Sequence, residues 1–185
     1  MDLLHSIRTE YTRYRRLCEL AIEQVSDADL VHRPGQDGNS LAILLRHLSG
    51  NLRSRFTDFL TSDGEKPWRQ RDEEFEPATF DRQTLLAQWQ TAWGVVDLAL
   101  QQLAEAGPEV LARDVTIRQQ PLTVLDALLR SVAHVAYHTG QIVLLARERC
   151  GPTWRTLSIP RGGSAAYAAA PDREKSPGPP GPNRS

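Results

Sequence analysis

The stretch LDALLRSVAHVAYHTGQIVLLARER, residues 125–149, decides the fold. Its apolar residues run almost all the way round a helical projection, so it reads as a helix that is central or is covered on its outer side by a second chain. Thr123-x-x-Asp126 resembles a capping box at its start, and Gly151-Pro152 supplies a stop. Within it His134 and His138 stand at i and i+4, about 40 degrees apart around the axis, so both imidazoles can face one ion. Two imidazoles buried without partners would be costly, and a metal is one way to satisfy them. On this spacing alone, a structural pair or surface histidines remains the alternative.

Three further segments carry helical periodicity, and no run of alternating strands is present. In the first, Leu4, Ile7, Tyr11, Tyr14, Cys18, Ala21 and Val25 form one stripe on a helix of about six turns. It is expected to stop near SDADL, followed by a HRPGQDGN loop. The second starts at Asn39 or Ser40 and runs through LAILLRHLSGNLRSRFTDFL, with Leu41, Leu45, Leu48, Leu52 and Phe59 as its apolar seam. Beside that seam lies a second stripe, Leu44, His47, Asn51, Ser54 and Asp58, polar from His47 onward and able to line an internal site. The third is opened by Asp81 and closed by Gly107-Pro108, with Leu86, Trp89, Trp93, Val96, Leu100 and Leu103 in a heptad-like pattern of bundle packing.

The expected class is therefore all-α, with DVTIRQQP, residues 114–121, as a short extended turn. The connection over residues 61–80 is long for a helix-to-helix loop. Fully extended it reaches about 60 Å, enough to return along a bundle and leave helices two and three parallel. The predicted architecture is a four-helix bundle, up-down-down-up, with that crossover. TWRTLSIPRGGS, residues 153–164, reads as a segment able to pack as a lid. From about Ala165 the chain is rich in Ala, Pro and Gly, which predicts a domain over residues 1–164 and a disordered tail over 165–185.

Composition narrows the function classes. Acidic residues number 23 and basic residues 22, and a net charge of -1 provides no general pull toward nucleic acid or anionic membrane. No stretch approaches the roughly 18 apolar residues that span a bilayer. The charged N-terminus lacks the apolar core of a signal peptide. Cys18 and Cys150 form no CxxC pair and suit a reduced compartment, so the expected location is cytoplasmic.

His47, on the polar stripe of the second segment, can converge with the pair on the fourth; a lone histidine satisfied by a hydrogen bond is its alternative reading. Three neutral imidazoles at about 2.0–2.1 Å would leave positions open for water or substrate, the mark of a catalytic-type site. An all-nitrogen set suits zinc or nickel, and also Fe(II), better than magnesium or calcium. Asn51 and Gln141 lie near the histidines in helical geometry and are candidates either to support the ligands or to contact substrate, a polar residue that only satisfies backbone or water being the alternative, and Tyr137 is a proton donor or a packing residue. Arg53, Arg55, Arg69 and Arg71, with Trp68, form either an anion-binding wall or a set of pairs with Asp58, Asp72, Glu73 and Glu74 that pin the long loop.

The stretches NSLAILLRHLSGNLRSRFTDFLTSDGEKPWRQRDEEF, AHVAYHTGQIVLLAR and TLSIPRGGS resemble the DinB superfamily, and within it a small DinB-like family of unknown function. The resemblance covers about residues 1–164. It implies a four-helix bundle, frequent homodimers, and one metal held by a histidine of helix two and two of helix four, positions that match His47, His134 and His138. The superfamily includes transferases dependent on low-molecular-weight thiols, in which the metal lowers a thiol's pKa. Three readings stay open from sequence: a thiol-dependent S-transferase, a metal-dependent hydrolase, and a non-catalytic dimeric bundle with a structural metal. No catalytic residue is assigned beyond the ligands.

Overall fold

The computed structural model describes residues 3–35, 37–76 and 80–171, and these are predominantly helical. Six α-helices follow in chain order: α1 (Leu3–Ile22), α2 (Asp27–Val31), α3 (Leu41–Phe56), α4 (Arg82–Ala106), α5 (Val124–Cys150) and α6 (Ser164–Ala169). Strands β1 (Asp114–Ile117) and β2 (Gln120–Thr123) pair antiparallel between α4 and α5. Short 3₁₀ turns occupy Asp72–Phe75, Pro108–Ala112 and Gly151–Thr153. No described helix is long and apolar enough to cross a membrane.

Side-chain caps fix the helix starts. Ser40 Oγ accepts from Ile43 N, Asp81 from Thr84 N, and Thr123 from Asp126 N, each satisfying an amide that has no intrahelical partner. Ser26 does the same for Asp29 N, so SDADL, expected only to end the first helix, opens a separate short one. Helix α3 ends at Phe56 rather than Leu60, because Thr57 turns extended and Asp58 adopts a left-handed φ of 49°. Asp58 thereby leaves the polar stripe, and Ser54 Oγ turns to donate to the Gly64 carbonyl at 2.8 Å.

Helix α3 packs chiefly on α4, and α1 chiefly on α5, with α3 against α5 closing the core between them. Trp89, Trp93, Leu48, Leu52, Leu100 and Leu128 are almost fully buried there. Tyr11 stands edge-on to both Phe56 (5.9 Å) and Trp93 (6.0 Å), and its hydroxyl donates to the Leu128 carbonyl. Tyr11 with Leu128 and Cys18 with Thr139 put the start of α1 beside the start of α5. Arg82 binds the Ile22 and Val25 carbonyls, and Arg46 lies over the Phe80 ring, so α4 begins beside the end of α1 and the first half of α3.

The route of the long connection is pinned by one carboxylate. Asp63 accepts from the backbone amides of Glu65, Arg118 and Gln119 at 2.7, 2.8 and 2.7 Å. Arg118 and Gln119 form the two-residue turn of the hairpin with φ of 54° and 63°. Two left-handed non-glycine residues are costly, and Asp63 offsets that strain by holding both amides. Burial pushes the Asp63 carboxyl up, but these three hydrogen bonds and one from Thr116 together outweigh it and hold the carboxyl well below its usual range. Glu65 then ties Arg55 of α3 to Arg118 of the hairpin.

The segment expected as a lid takes another course. Arg155 exchanges backbone hydrogen bonds with the Gln24 side chain after α1, Trp154 and Leu157 pack on the core, and no residue of 156–164 lines the cavity described below. At the start of the expected tail, the Ala-rich Ser164–Ala169 forms α6, in keeping with alanine's helix propensity. The remainder of that tail, from residue 172, lies outside the described residues.

Replacing Asp63 by Ala is expected to lower unfolding stability by about 1–3 kcal/mol, the cost of stranding several hydrogen-bond donors. Urea denaturation measures it, and an unchanged midpoint would show that the turn holds itself.

Candidate metal centre

Helix α3 presents His47 and helix α5 presents His134 and His138, and one ligand atom from each falls within 4.8 Å of the others. His47 and His138 are buried, and His134 is half-buried. No other residue that could ligate a metal joins this group among the described residues. The Nε2 atoms of His47 and His134 are 3.2 Å apart. Two nitrogens bound tetrahedrally at 2.0–2.1 Å to one ion would be separated by about 3.3 Å. The pair already has that spacing.

The outer nitrogens determine which way the lone pairs point. His47 Nδ1 donates to Glu74 Oε2 at 2.8 Å. Burial pushes the Glu74 carboxyl up, but the His47 hydrogen bond and the Arg69 pairing together outweigh it and hold the pKa below the usual range. Glu74 is therefore ionised and can only accept, so His47 Nδ1 carries a proton, and the neutral tautomer this selects has its lone pair on Nε2. His138 Nδ1 likewise donates to Gln141 Oε1 at 2.7 Å, leaving its Nε2 bare. A carboxylate or amide oxygen on the far nitrogen is the usual support of a ligating imidazole. Buried His134 Nδ1 has no hydrogen-bond partner.

Burial first, then the neighbouring His138 and His47, push the His134 pKa down to about 3. Burial also lowers that of His138, against the Gln141 hydrogen bond. Both are neutral near pH 7, the form that ligates metal. Two lone pairs facing each other with one proton available between three rings is a poor arrangement for a hydrogen-bonded cluster. A divalent cation satisfies all three, so the buried group can hold one.

Glu74 is the residue the sequence did not single out for the site. Its carboxylate is gripped by Arg69 in a two-point fork, Nε to Oε1 at 2.8 Å and Nη2 to Oε2 at 2.9 Å. It enters from the 3₁₀ turn Asp72–Phe75, and Phe75 lays its ring 4.7 Å from that of His47. Space for it is made by Gly50, one turn after His47, where a Cβ would collide with the Glu74 carboxylate. A glycine inside a helix on the face of a candidate ligand is the sequence signal that something approaches closely there.

The histidines open on a cavity of about 400 Å³. Asn51, Arg55 and Arg71, expected as substrate contacts, line it together with Arg69, Phe75, Arg118 and Arg130. Trp68 does not line it: its exposed ring stacks under Arg53 at 4.6 Å, and Arg53 does not line it either. Gln141 supports His138 from behind rather than facing the cavity, and Tyr137, 63 % exposed, packs its ring 4.9 Å from His138. The alternative reading of the arginines is met in part, since Arg69 pairs with Glu74 and Arg71 with Asp72.

Glu74→Gln and Gly50→Ala are each expected to weaken affinity for zinc about 10–100-fold, the usual effect of losing a hydrogen-bond partner behind a ligand. Competition with a chromogenic chelator measures this. Wild-type affinity in both variants would contradict an orienting role for Glu74.

No curated protein and no solved structure matches the chain. A family described as "Protein of unknown function (DUF1572)" matches residues 1–163, which carry all three histidines, Glu74 and the cavity. The chain belongs to that family.

Proposed function

We propose that this protein is a metal-dependent enzyme of the DinB-like type, holding one zinc or nickel ion on His47, His134 and His138 and using a low-molecular-weight thiol as co-substrate in S-transfer. The observation that carries the reading is the open side: three converging nitrogens, no fourth protein ligand among the described residues, and a substrate-sized cavity in front of them. A metal there would supply Lewis acidity that favours the thiolate, the reactive form of a thiol.

The chain's own part is to orient His47 and His138 through Glu74 and Gln141, to keep His134 and His138 neutral by burial, and to wall the cavity with Phe56, Phe59, Phe75 and arginines. In the transfer, the sulfur forms a bond to the electrophilic carbon as the bond to the leaving group breaks, and the thiol proton departs to solvent. Asn51, Arg55 and Arg71 are proposed as substrate contacts in that cavity; Trp68, Tyr137 and Gln141 keep only the supporting or peripheral roles described above. Hydrolysis by the same triad is favoured less, because Glu74, the carboxylate nearest at hand, is already engaged by His47 and Arg69 and is no free general base. A structural metal would call for a closed fourth position.

The proposal extends to architecture and setting. The four long helices fit an up-down-down-up bundle, in keeping with the neighbours of α4 noted above. The exposed apolar stripe Leu129, Tyr137 and Leu144 on α5 fits a homodimer, and the near-zero net charge fits a cytoplasmic protein without a nucleic-acid partner.

Protein purified without a histidine tag is expected to carry one metal ion per chain by elemental analysis, and His134→Ala to lose it. With a panel of low-molecular-weight thiols and an aryl chloride, the metal-loaded protein is expected to exceed the triple-histidine variant. Metal retained by His134→Ala would refute the site, and equal rates across the panel would refute thiol transfer.

A further inference from the structure

Beside the histidines the cavity wall is strongly cationic. Arg55, Arg69, Arg71, Arg118 and Arg130 line it, and no aspartate or glutamate does. The carboxylates behind this wall are shared: Glu65 serves both Arg55 and Arg118, and Glu74 serves both Arg69 and His47. Arg71 has only Asp72, whose side chain is 98 % exposed, and such a surface pair neutralises little. Arg130 has no hydrogen-bond or ion-pair partner among the described residues. It stands on α5 one turn before His134, and both line the same cavity.

A second observation points the same way. The Arg69 side chain is 2 % exposed, yet its Nη1 has no hydrogen-bond partner. A buried guanidinium N–H left unsatisfied is costly, and planar, forked guanidinium groups match the oxygens of carboxylate and phosphate. Excess positive charge and an unsatisfied donor, both on residues lining one cavity, are complemented by an anion entering it.

We propose that this arginine wall is a subsite for the anionic group of a small-molecule substrate, a carboxylate or a phosphate, anchored by Arg130, one helical turn before His134, and by Arg118 of the hairpin turn. The proposal rests on the metal reading only for what the substrate's other end meets. The wall selects ligands bearing an acid group within a few bonds of the reacting atom, and it disfavours cationic ones.

The test is calorimetric titration of the full-length protein with inorganic phosphate and, separately, with succinate. The expected pattern is saturable binding of at least one anion that survives His134→Ala and weakens about tenfold in Arg130→Gln, the loss of one charge-assisted contact. Arg130→Lys should recover part of it, and Arg53→Gln, outside the cavity, should leave it unchanged. Tighter phosphate than succinate assigns a phosphate group, and the reverse a carboxylate. Binding abolished by His134→Ala but untouched by Arg130→Gln would place the anion on the metal and overturn the subsite, as would no saturable binding of either anion. Since His134→Ala removes the proposed metal while Arg130→Gln leaves the ligands in place, failure of the subsite and failure of the metal reading give different results.

Discussion

Glu74 is a carboxylate in the interior, 6 % exposed, and the site is built around keeping it ionised there. Removing a carboxylate from water costs several kcal/mol unless its oxygens are fully engaged. Arg69 engages both oxygens and His47 one of them, and the three side chains form a chain from the long connection to the candidate ligand. Each neighbouring feature follows from that requirement. Gly50 removes a Cβ that would block the carboxylate, and the 3₁₀ turn carries Glu74 down to α3. Asp63 ties the other end of the same connection to the hairpin. Buried ion pairs often add little net stability, and their best-attested use is to specify one arrangement. Here that arrangement is the tautomer and ring orientation of His47.

Electrostatics joins the histidines to the arginines. A divalent ion among three neutral ligands keeps its full charge, and placing it beside five arginines is unfavourable until an anion arrives. With the proposed ion bound, such a site would discriminate by charge: a thiolate at the ion and an acid group at Arg130 would both relieve the repulsion, whereas a neutral substrate would relieve neither. The chemistry proposed at the ion and the anchoring proposed at the wall thus have one physical origin, the shortage of negative charge in the cavity.

Most of the helical framework was legible in the sequence, because caps and apolar periodicity are local. Ser40, Asp81 and Thr123 announce their helices within four residues, and the Trp89 to Leu103 heptad pattern lies buried as read. The histidines were legible as spacing on α5 and as a polar stripe on α3. What was not legible depends on contacts distant in sequence. Glu74 sits 27 residues from His47 in a stretch without periodicity, and Arg118 reaches the cavity only because a strained hairpin turn is held by Asp63. Arg130 was within reach, one turn before His134 on the same helix, but an arginine at that spacing means nothing until the cavity is seen. The segment 153–164 was open for the same reason: its apolar and Gly/Pro mixture predicts packing but not against what, and its Arg155 bonds to Gln24 after α1 while Leu157 packs on the core.

In the proposed centre three imidazole nitrogens share one ion and leave it open to solvent or substrate. X-ray absorption at the zinc edge of the metal-loaded protein tests it most directly. The expected spectrum has a shell containing three imidazoles at about 2.0–2.1 Å, with their outer-ring scattering, and remaining light-atom ligands that exchange when a thiol is added. A spectrum without the imidazole signature, or with a fourth protein ligand that no added thiol displaces, would contradict it.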